Sequence, residues 1–292
     1  MQRVFQSMGW VVLTLGMAFS AFAGSNDIRK QTELSLLVTG HVVIEPDGSV
    51  SGLNIDQEEK IPPAVRGLIE RARPVWRFEP VRVDGAAARA RARMSLRVVA
   101  KKLDSGDYEI RLRGAYFGSD ALDGQERIDQ MGTATLRGRK LSSPRYPEGA
   151  QLLGAKGTVY VIIKVGPDGT VQESFAEQVN LQIVGRSEGE MKYMRDQFTR
   201  SALFAAKYWT FEVPTTGELA DDGVWYARVP VSYLMPGDKP AVYGQWEAYI
   251  PGPKQKAPWA DERDHVDPDA MLAGGIYLAG QGLRLLTPLE PG

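Results

Sequence analysis

The sequence predicts an α+β protein of two small domains, each a few-stranded antiparallel sheet with one main helix packed on it. Residues 158–165 alternate in side-chain character with the period of two that is typical of a strand. A Pro-Asp-Gly turn then leads into a second strand. Residues 42–50 repeat this pattern, and each copy is followed by a Trp-x-Phe sequence, at Trp76 and at Trp209. A degenerate repeat of this kind indicates one small domain per copy.

Length and composition agree with two packed domains. The chain has 292 residues and 43% apolar residues, which suffices for two cores of ordinary size. Acidic and basic residues nearly cancel, 36 against 35, so the overall charge gives no reason to expect nucleic acid as a partner. The absence of cysteine excludes disulfides, thiolate metal sites, a cysteine nucleophile and a lipid-attachment cysteine.

The amino terminus, residues 1–23, has the features of an export signal. Arg3 supplies positive charge, an apolar run covers residues 10–22, and Ala-Phe-Ala at 21–23 has the form of a cleavage site. Cleavage would leave Gly24 or Ser25 first and a periplasmic protein. The alternative is an uncleaved inner-membrane anchor, which normally needs about 20 apolar residues.

The first predicted domain, residues 25–116, has the element order β-β-α-β-β. Alternating residues at 34–44 predict a hairpin that turns at a second Pro-Asp-Gly sequence. Apolar residues spaced by three and four from Val65 to Ala72 predict a helix that begins at Pro63 and stops before Pro74.

A row of arginines lies on the outer face of the last strand of this domain, because the side chains follow the period of two. The favoured interpretation is a solvated face whose charges discourage edge-to-edge aggregation. The alternative is a cationic stripe for an anionic envelope polymer or an acidic partner. The residues are Arg89, Arg91, Arg93 and Arg97.

The remaining chain divides into a linker, a second domain and a tail. Residues 101–140 are polar and rich in glycine and predict an extended connector with one strand at 108–116; the linker proper is 117–141. The second domain, residues 142–235, contains a helix that begins with the capping pair Ser187 and Glu190 and a closing strand at 224–234. The tail, 236–292, is rich in proline, glycine and tryptophan, which favours an irregular segment draped over a surface and not another domain, with an apolar stretch at 276–286 that is expected to dock.

No motif of catalytic chemistry is present in the sequence, so we predict a protein that is not an enzyme and needs no cofactor. The charged run at residues 261–269, which includes His265, brings several carboxylates together. It lacks the glycine and final glutamate of a calcium loop, and a solvated acidic loop is the favoured interpretation over a calcium or zinc site. Serine hydrolase chemistry would need distant partners that a sequence does not reveal.

The second domain resembles the C-terminal domain of TonB, the energy transducer of the Gram-negative envelope, and the first looks like a more divergent copy. The resemblance covers residues 143–235. It is carried by Pro144-x-Tyr146-Pro147, Gly154, Gly157, the strand at 159–165, Asp168-Gly169, Ala202, Ala205, Trp209, Phe211, Pro214 and the closing strand to Tyr233.

The resemblance implies a small domain that binds an extended segment of an outer-membrane transporter by strand addition. The proline-rich spacer of the family and the histidine of its transmembrane helix are missing here. We therefore predict a periplasmic binding or adaptor protein whose partner is a transporter or another envelope protein. The alternatives are a membrane-anchored transducer and a structural or wall-binding envelope protein. The oligomeric state is left open.

The predicted partner site is the closing strand of the second domain and the segment with which that domain begins. This strand has one interior charge, which predicts an open edge, whereas the arginine row is expected to protect its counterpart in the first domain. Pro230 has no N–H, so pairing should skip it or run on one side of it. Tail residues 246–250 are a rival occupant of the edge. The candidate residues are Ser143, Pro144, Tyr146, Tyr226, Arg228, Val229, Val231 and Tyr233.

Overall fold

The computed structural model describes residues 32–83, 85–118, 132–239, 241–260 and 266–290. The predicted export signal lies outside the described residues. None of the helices within the described ranges has the length and apolar character that crossing a bilayer requires. The first half of the chain forms strands β1 (Glu33–Ile44) and β2 (Val50–Ile55), helix α1 (Pro63–Ala72), and strands β3 (Arg82–Val83), β4 (Ala86–Ala87), β5 (Ala90–Lys102) and β6 (Tyr108–Phe117).

The second half begins with a short strand and helix that precede the repeat. It forms β7 (Arg137–Lys140), α2 (Glu148–Leu152), β8 (Gly157–Val165), β9 (Val171–Leu181), α3 (Glu188–Ala206), β10 (Thr210–Glu212) and β11 (Trp225–Tyr233). The tail then adds β12 (Glu247–Tyr249), a 3-10 turn (Pro268–Ala270) and β13 (Tyr277–Leu278).

In the first sheet, β1 pairs with β5, and β5 pairs with β6. The other edge of β1 is shared, because β2 pairs with its second half and β12 with its first residues. Helix α1 begins at Pro63, which suits the first turn of a helix, and buries Val65, Ile69 and Ala72 against the sheet. Trp76 belongs to this core and is fully buried.

In the second sheet, β8 lies between β9 and β11, and β13 pairs with the outer edge of β11. Helix α3 covers one face. Its start is fixed by Ser187, whose hydroxyl accepts the N–H of Glu190 at 3.1 Å, as the capping pair predicts. Met191 and Phe198 point from α3 into the core that also holds Trp209.

The two units follow one plan, in which β2-β1-β5 corresponds to β9-β8-β11. In each unit the phenylalanine of the Trp-x-Phe sequence donates its N–H at 2.8 Å to the carbonyl of the turn glycine, Phe78 to Gly48 and Phe211 to Gly169. Both glycines have a positive φ, 82° and 77°. A Cβ there would lie 2.0 or 2.1 Å from the carbonyl oxygen of the same phenylalanine. Conformation and close contact therefore both require glycine.

The α+β class with small antiparallel sheets is confirmed. The exact domain boundaries stay a prediction, and segments predicted to lie outside the domains contribute to both cores. Leu136 from the linker and Ile276 from the tail belong to the second core, and Trp246 belongs to the first. The interpretation of the tail as merely draped over a surface was wrong, because it supplies strands to both sheets.

The two sheets face each other with the faces that α1 and α3 leave uncovered. Tyr116 from β6 and Tyr160 from β8 form a small buried cluster with Ala270, Met271 and Tyr277 of the tail. The rings of Tyr116 and Tyr277 meet edge to face, with centroids 5.0 Å apart. The tail thus runs between the two units and forms part of the interior.

Candidate functional site

A groove of about 850 Å³ runs along the outer edge of β11, between the second unit and strands β1 and β12 of the first sheet. Its volume lies in the range of pockets that enclose small ligands or a short peptide stretch. Six of the eight residues predicted as partner contacts line it together: Ser143, Pro144, Tyr146, Val229, Val231 and Tyr233. The segment before α2 and the second half of β11 therefore meet in space, as the predicted site requires.

Three aromatic rings form a rigid wall beside the groove. Tyr146 meets Phe198 and Tyr233 edge to face at 5.8 Å, and Phe198 stacks on Tyr233 at 4.3 Å. The hydroxyl of Tyr146 donates to the carbonyl of Ala155, and that of Tyr233 to the carbonyl of Phe198. Burial raises the pKa of Tyr146 and of Tyr233 to about 12. Both phenols stay neutral donors at ordinary pH, and the wall keeps its shape.

Main-chain groups of β11 alternate between β8 and the outer edge. The carbonyls of Tyr226 and Pro230 accept N–H groups of the tail, so the even-numbered residues direct their main chain outward. Ser232 continues this series next to the groove, and its side chain is exposed. Within the described residues, no main-chain partner meets Ser232 on that side. The groove therefore contains a short open length of sheet edge.

The first half of the same edge is occupied by the tail. Strand β13 pairs with β11 through Leu278 opposite Ala227 and Tyr277 opposite Arg228. The paired residues of β11 thus lie before Pro230, and the carbonyl of Pro230 accepts the N–H of Gly274 at 3.4 Å. The prediction that residues 246–250 are the rival occupant was wrong: β12 pairs with β1 instead, and a later part of the tail covers β11.

Two predicted partner residues lie outside the groove. Arg228 is buried and forms a bidentate ion pair with Glu177, with N–O distances of 2.6 and 2.9 Å. The Tyr226 ring stacks on Trp259 of the tail with centroids 5.7 Å apart. Arg228 was predicted to contact a partner, but the carboxylate of Glu177, from β9 of the same sheet, neutralises it.

The comparison of open and protected edges was based on a wrong premise for the first unit. Its last predicted strand, β5, lies inside the sheet, because β6 pairs with it from Met94 to Lys102. The arginine row therefore does not protect an edge. Strand β6 is the strand predicted at 108–116, which confirms that strand, but its pairing with β5 was not predicted.

The solvated-face interpretation of the arginine row was wrong for its last member. Arg89 is exposed and pairs with Glu45 at 3.0 Å, and Arg91 is exposed. Arg93 pairs with Asp56 at 2.8 Å. Arg97 is 9% exposed and lies between the two units. The period of two put these arginines on one face correctly, but the tail covers one end of that face.

Asp269, which sequence reasoning missed, is the centre of the contact between the units. Its carboxylate is fully buried and accepts hydrogen bonds from Asn180 of β9, at 2.7 Å, and from Tyr249 of β12. Arg97 of β5 and Arg113 of β6 lie 3.5 and 3.8 Å from its oxygens. One carboxylate thus joins both sheets and the tail. The run at 261–269 was read as a solvated loop, which is wrong for this residue.

The surroundings of this contact favour the charged form of Arg97 and the neutral form of Tyr249. Burial lowers the pKa of Arg97, but the neighbouring Tyr160, Asp269 and Tyr249 outweigh it and leave that pKa above its usual value. Burial, with Asp269 adding to it, raises the pKa of the Tyr249 hydroxyl. The phenols remain neutral donors beside the Arg97–Asp269 ion pair, and the cluster is suited to holding the units together.

Residues 261–265, including His265, lie outside the described residues. Across the described part of the chain, no group of three or more potential ligands could hold a metal ion. The described end of the charged run makes contacts within the protein. Asp267 accepts the N–H of Asp269 at 3.1 Å and pairs with Lys254 at 2.8 Å.

Comparison with known proteins gives no match to a model of a protein family, to a curated protein or to a solved structure. The resemblance to the TonB C-terminal domain is therefore carried by the residues of this chain alone.

Proposed function

We propose that this protein is a binding or adaptor protein of the Gram-negative periplasm that recognises an extended segment of an outer-membrane transporter or another envelope protein. The segment adds as a strand at the outer edge of β11 and places side chains in the groove. The observation that carries the proposal is the outward main chain of Ser232 beside the groove. An edge of this kind supplies hydrogen bonds, and the adjoining pocket supplies specificity.

The groove has features suited to such a ligand. Tyr146 and Tyr233 offer an apolar, rigid wall, and Glu247 lies at the side formed by β12. The Glu247 carboxylate accepts a hydrogen bond from Gln182 at 3.3 Å, and burial raises its pKa. Apolar walls with few polar groups favour an apolar segment with one or two fixed polar contacts.

The two alternatives are a membrane-anchored transducer and a wall-binding protein. A simple measurement distinguishes the transducer from the proposed function. A membrane-anchored transducer would retain Met1, whereas an exported protein would begin at Gly24 or Ser25. Determining the amino-terminal residue of the protein from its native host decides between them. A wall-binding role would use the arginine face, of which Arg89 and Arg91 are exposed.

The test changes one main-chain donor of the open edge. Ser232→Pro removes the outward N–H and leaves the β8 ladder intact, whereas the N–H of Val231 faces β8 and is unsuited to this purpose. The control, Ser232→Ala, removes only a hydroxyl that lies 3.3 Å from Thr158. Binding is measured by calorimetry with synthetic peptides that cover the periplasm-facing segments of outer-membrane transporters.

We expect at least one peptide to bind the wild-type protein and Ser232→Ala alike, and to bind Ser232→Pro about tenfold more weakly, because an acceptor on the peptide loses its partner. If no peptide binds at millimolar concentration, or if Ser232→Pro binds as well as the control, the proposed function is wrong.

A further inference from the structure

We propose that residues 275–279 of the tail are the protein's own occupant of the partner site, and that the partner segment is an extended apolar-tyrosine-apolar stretch that replaces them. The inference rests on the proposed function and names the peptide class and the regulation of the same edge. Strand β13 already binds β11 in the manner that strand addition requires. Besides the pairing of Tyr277 and Leu278, the N–H of Ala279 donates to the carbonyl of Tyr226 at 2.8 Å.

The side chains of this strand show which chemistry the site accepts. Ile276 and Leu278 belong to the core of the second unit, and Tyr277 points the other way, into the cluster with Tyr116. The Tyr277 hydroxyl accepts the N–H of Leu272 at 2.9 Å. If the strand left, it would open apolar slots on both sides of the edge. Only an occupant with the same alternation refills them, since an unfilled slot costs cavity energy.

The flanks of residues 275–279 allow this strand to detach from β11 while the rest of the tail stays bound. Gly274 and Gly280 flank it with φ values of 86° and 81°, and no atom lies within 4 Å of a Cβ added at either. Upstream, Asp269 is buried between the units. Downstream, Leu283 donates to the carbonyl of Phe117 at 2.7 Å, and the Trp76 indole donates to the carbonyl of Leu289 at 2.9 Å. Two anchored flanks and two unhindered glycines suit a hinged strand.

Opening and closing of this strand set the apparent affinity of any partner, because only the open form binds. The first experiment locks the closed form in the full chain. Ala227 and Leu278 oppose each other across the pair, and the chain has no cysteine, so Ala227→Cys combined with Leu278→Cys permits one defined disulfide. The probe is a fluorescent peptide with the sequence of residues 272–281, followed by anisotropy.

We expect the reduced double variant to bind this peptide, and the oxidised one to bind it at least about tenfold more weakly. Reductant should restore binding to the same sample. Equal binding in the two redox states would overturn the proposal.

A second pair of variants tests the open form without a disulfide. Ala279→Pro removes the N–H that reaches Tyr226 and so weakens the closed form. The matched control is Ala273→Pro, placed before Gly274 in a turn that the N–H of Gly275 closes on Leu272, where proline fits. Ala279→Pro should bind the peptide at least about tenfold more tightly than the wild type, and Ala273→Pro no more tightly. A peptide with alanine in place of the tyrosine should lose binding to Ala279→Pro.

The outcomes separate this inference from the proposed function. If the tail peptide binds Ala279→Pro no better than the wild type, the tail is not an exchangeable occupant, whatever the transporter peptides do. If the tail peptide binds Ala279→Pro but no transporter peptide does, the exchangeable strand stands and the transporter as partner is wrong. Transporter peptides that bind every variant equally would support the proposed function and overturn the inference.

Discussion

The first and second units share a plan but differ in what completes them. The closing strand of the first, β5, is covered by β6 in a continuous hairpin from Met94 to Lys102. The closing strand of the second, β11, is covered at Ala227 and Arg228 by a strand from the distant tail. A neighbour that follows directly in the chain closes an edge at a smaller entropic cost than a strand from a distant segment does. We therefore expect exchange at the edge of the second unit and not at that of the first.

The segment that pairs with the Trp-x-Phe sequence also differs between the two units. In the second unit, β10 pairs with β7 from the linker, and the Trp209 indole donates to the carbonyl of Ser142 at 2.9 Å. In the first unit the carboxy-terminal segment takes this place: Phe78 bridges to Leu285, and Trp76 donates to Leu289. Each repeat therefore supplies a sheet, a helix and a tryptophan. The strand that pairs with its Trp-x-Phe sequence comes from a segment outside the repeat.

The largest effect is expected at the two tryptophans, which test whether the units are equivalent in energy as well as in geometry. Trp76→Ala and Trp209→Ala each remove a buried ring, so each should lower the free energy of unfolding by about 3 to 5 kcal/mol. Chemical denaturation of the full chain is the measurement, because an isolated fragment of residues 142–235 would lack β7 and β13. A loss below about 1 kcal/mol for either would show that its unit does not depend on this core.

The contact between the units should respond nearly as strongly to the loss of one charge. Asp269→Asn leaves Arg97 buried beside a neutral amide, and breaking a buried pair in this way costs about 3 kcal/mol or more. Asp267→Asn is the matched control, since its partner Lys254 is more than half exposed and such pairs contribute about 0 to 1 kcal/mol. Unfolding of both variants in urea is compared with the wild type. Equal losses would mean that the contact is not organised around Asp269.

What the sequence predicted well is local. The capping pair of Ser187 and Glu190, the two turns and the burial of both tryptophans follow from residues close together in the chain. Arg97 and Asp269 lie 172 residues apart, and each was read with its neighbours. Because a period of two assigns side chains to a face but does not say what covers that face, a buried arginine looked like its exposed neighbours.

The site shows the same limit. Six of the predicted contact residues meet in the groove. They lie on β11 and on the segment before α2, and the repeat pattern in the sequence locates both. The pairing of the tail strand with β11 was not predicted, because two residues, Tyr277 and Leu278, carry no periodic signal. Their pairing depends on tertiary packing, since Ile276 and Tyr277 fill spaces that both units create.

A smaller effect is expected at the turn glycines, where the two units match most closely. Gly48→Ala and Gly169→Ala each combine a positive φ with a Cβ that would meet a phenylalanine carbonyl, so each should cost about 1 to 3 kcal/mol. Gly106→Ala isolates the backbone cost, because its φ is 95° and no atom lies within 4 Å of an added Cβ. In thermal unfolding, Gly48→Ala and Gly169→Ala should melt at lower temperatures than Gly106→Ala. If all three variants lose the same stability, the contact of the added Cβ with the carbonyl oxygen contributes nothing to the loss.

The smallest effect concerns the aspartates that precede these glycines. The hydroxyl and N–H of Ser49 donate to Asp47, and the N–H and hydroxyl of Thr170 donate to Asp168. These hydrogen bonds lower the pKa of both carboxyls below the usual 3.8. A depressed carboxyl pKa adds stability above the pKa of the unfolded chain and loses it as the pH falls through the folded value. Each turn should therefore weaken in the acid range below 3.8.

Asn at either position keeps an acceptor for the turn but does not titrate there, so Asp47→Asn and Asp168→Asn should each flatten the acid limb of stability. The measurement is urea unfolding at about pH 6 and about pH 3, with the double variant included. We expect the wild type to lose the most on acidification, each single variant less, and the double variant least. Because the two turns lie in different cores, their effects should add. Equal acid losses in all four proteins would show that these carboxyls do not stabilise either turn.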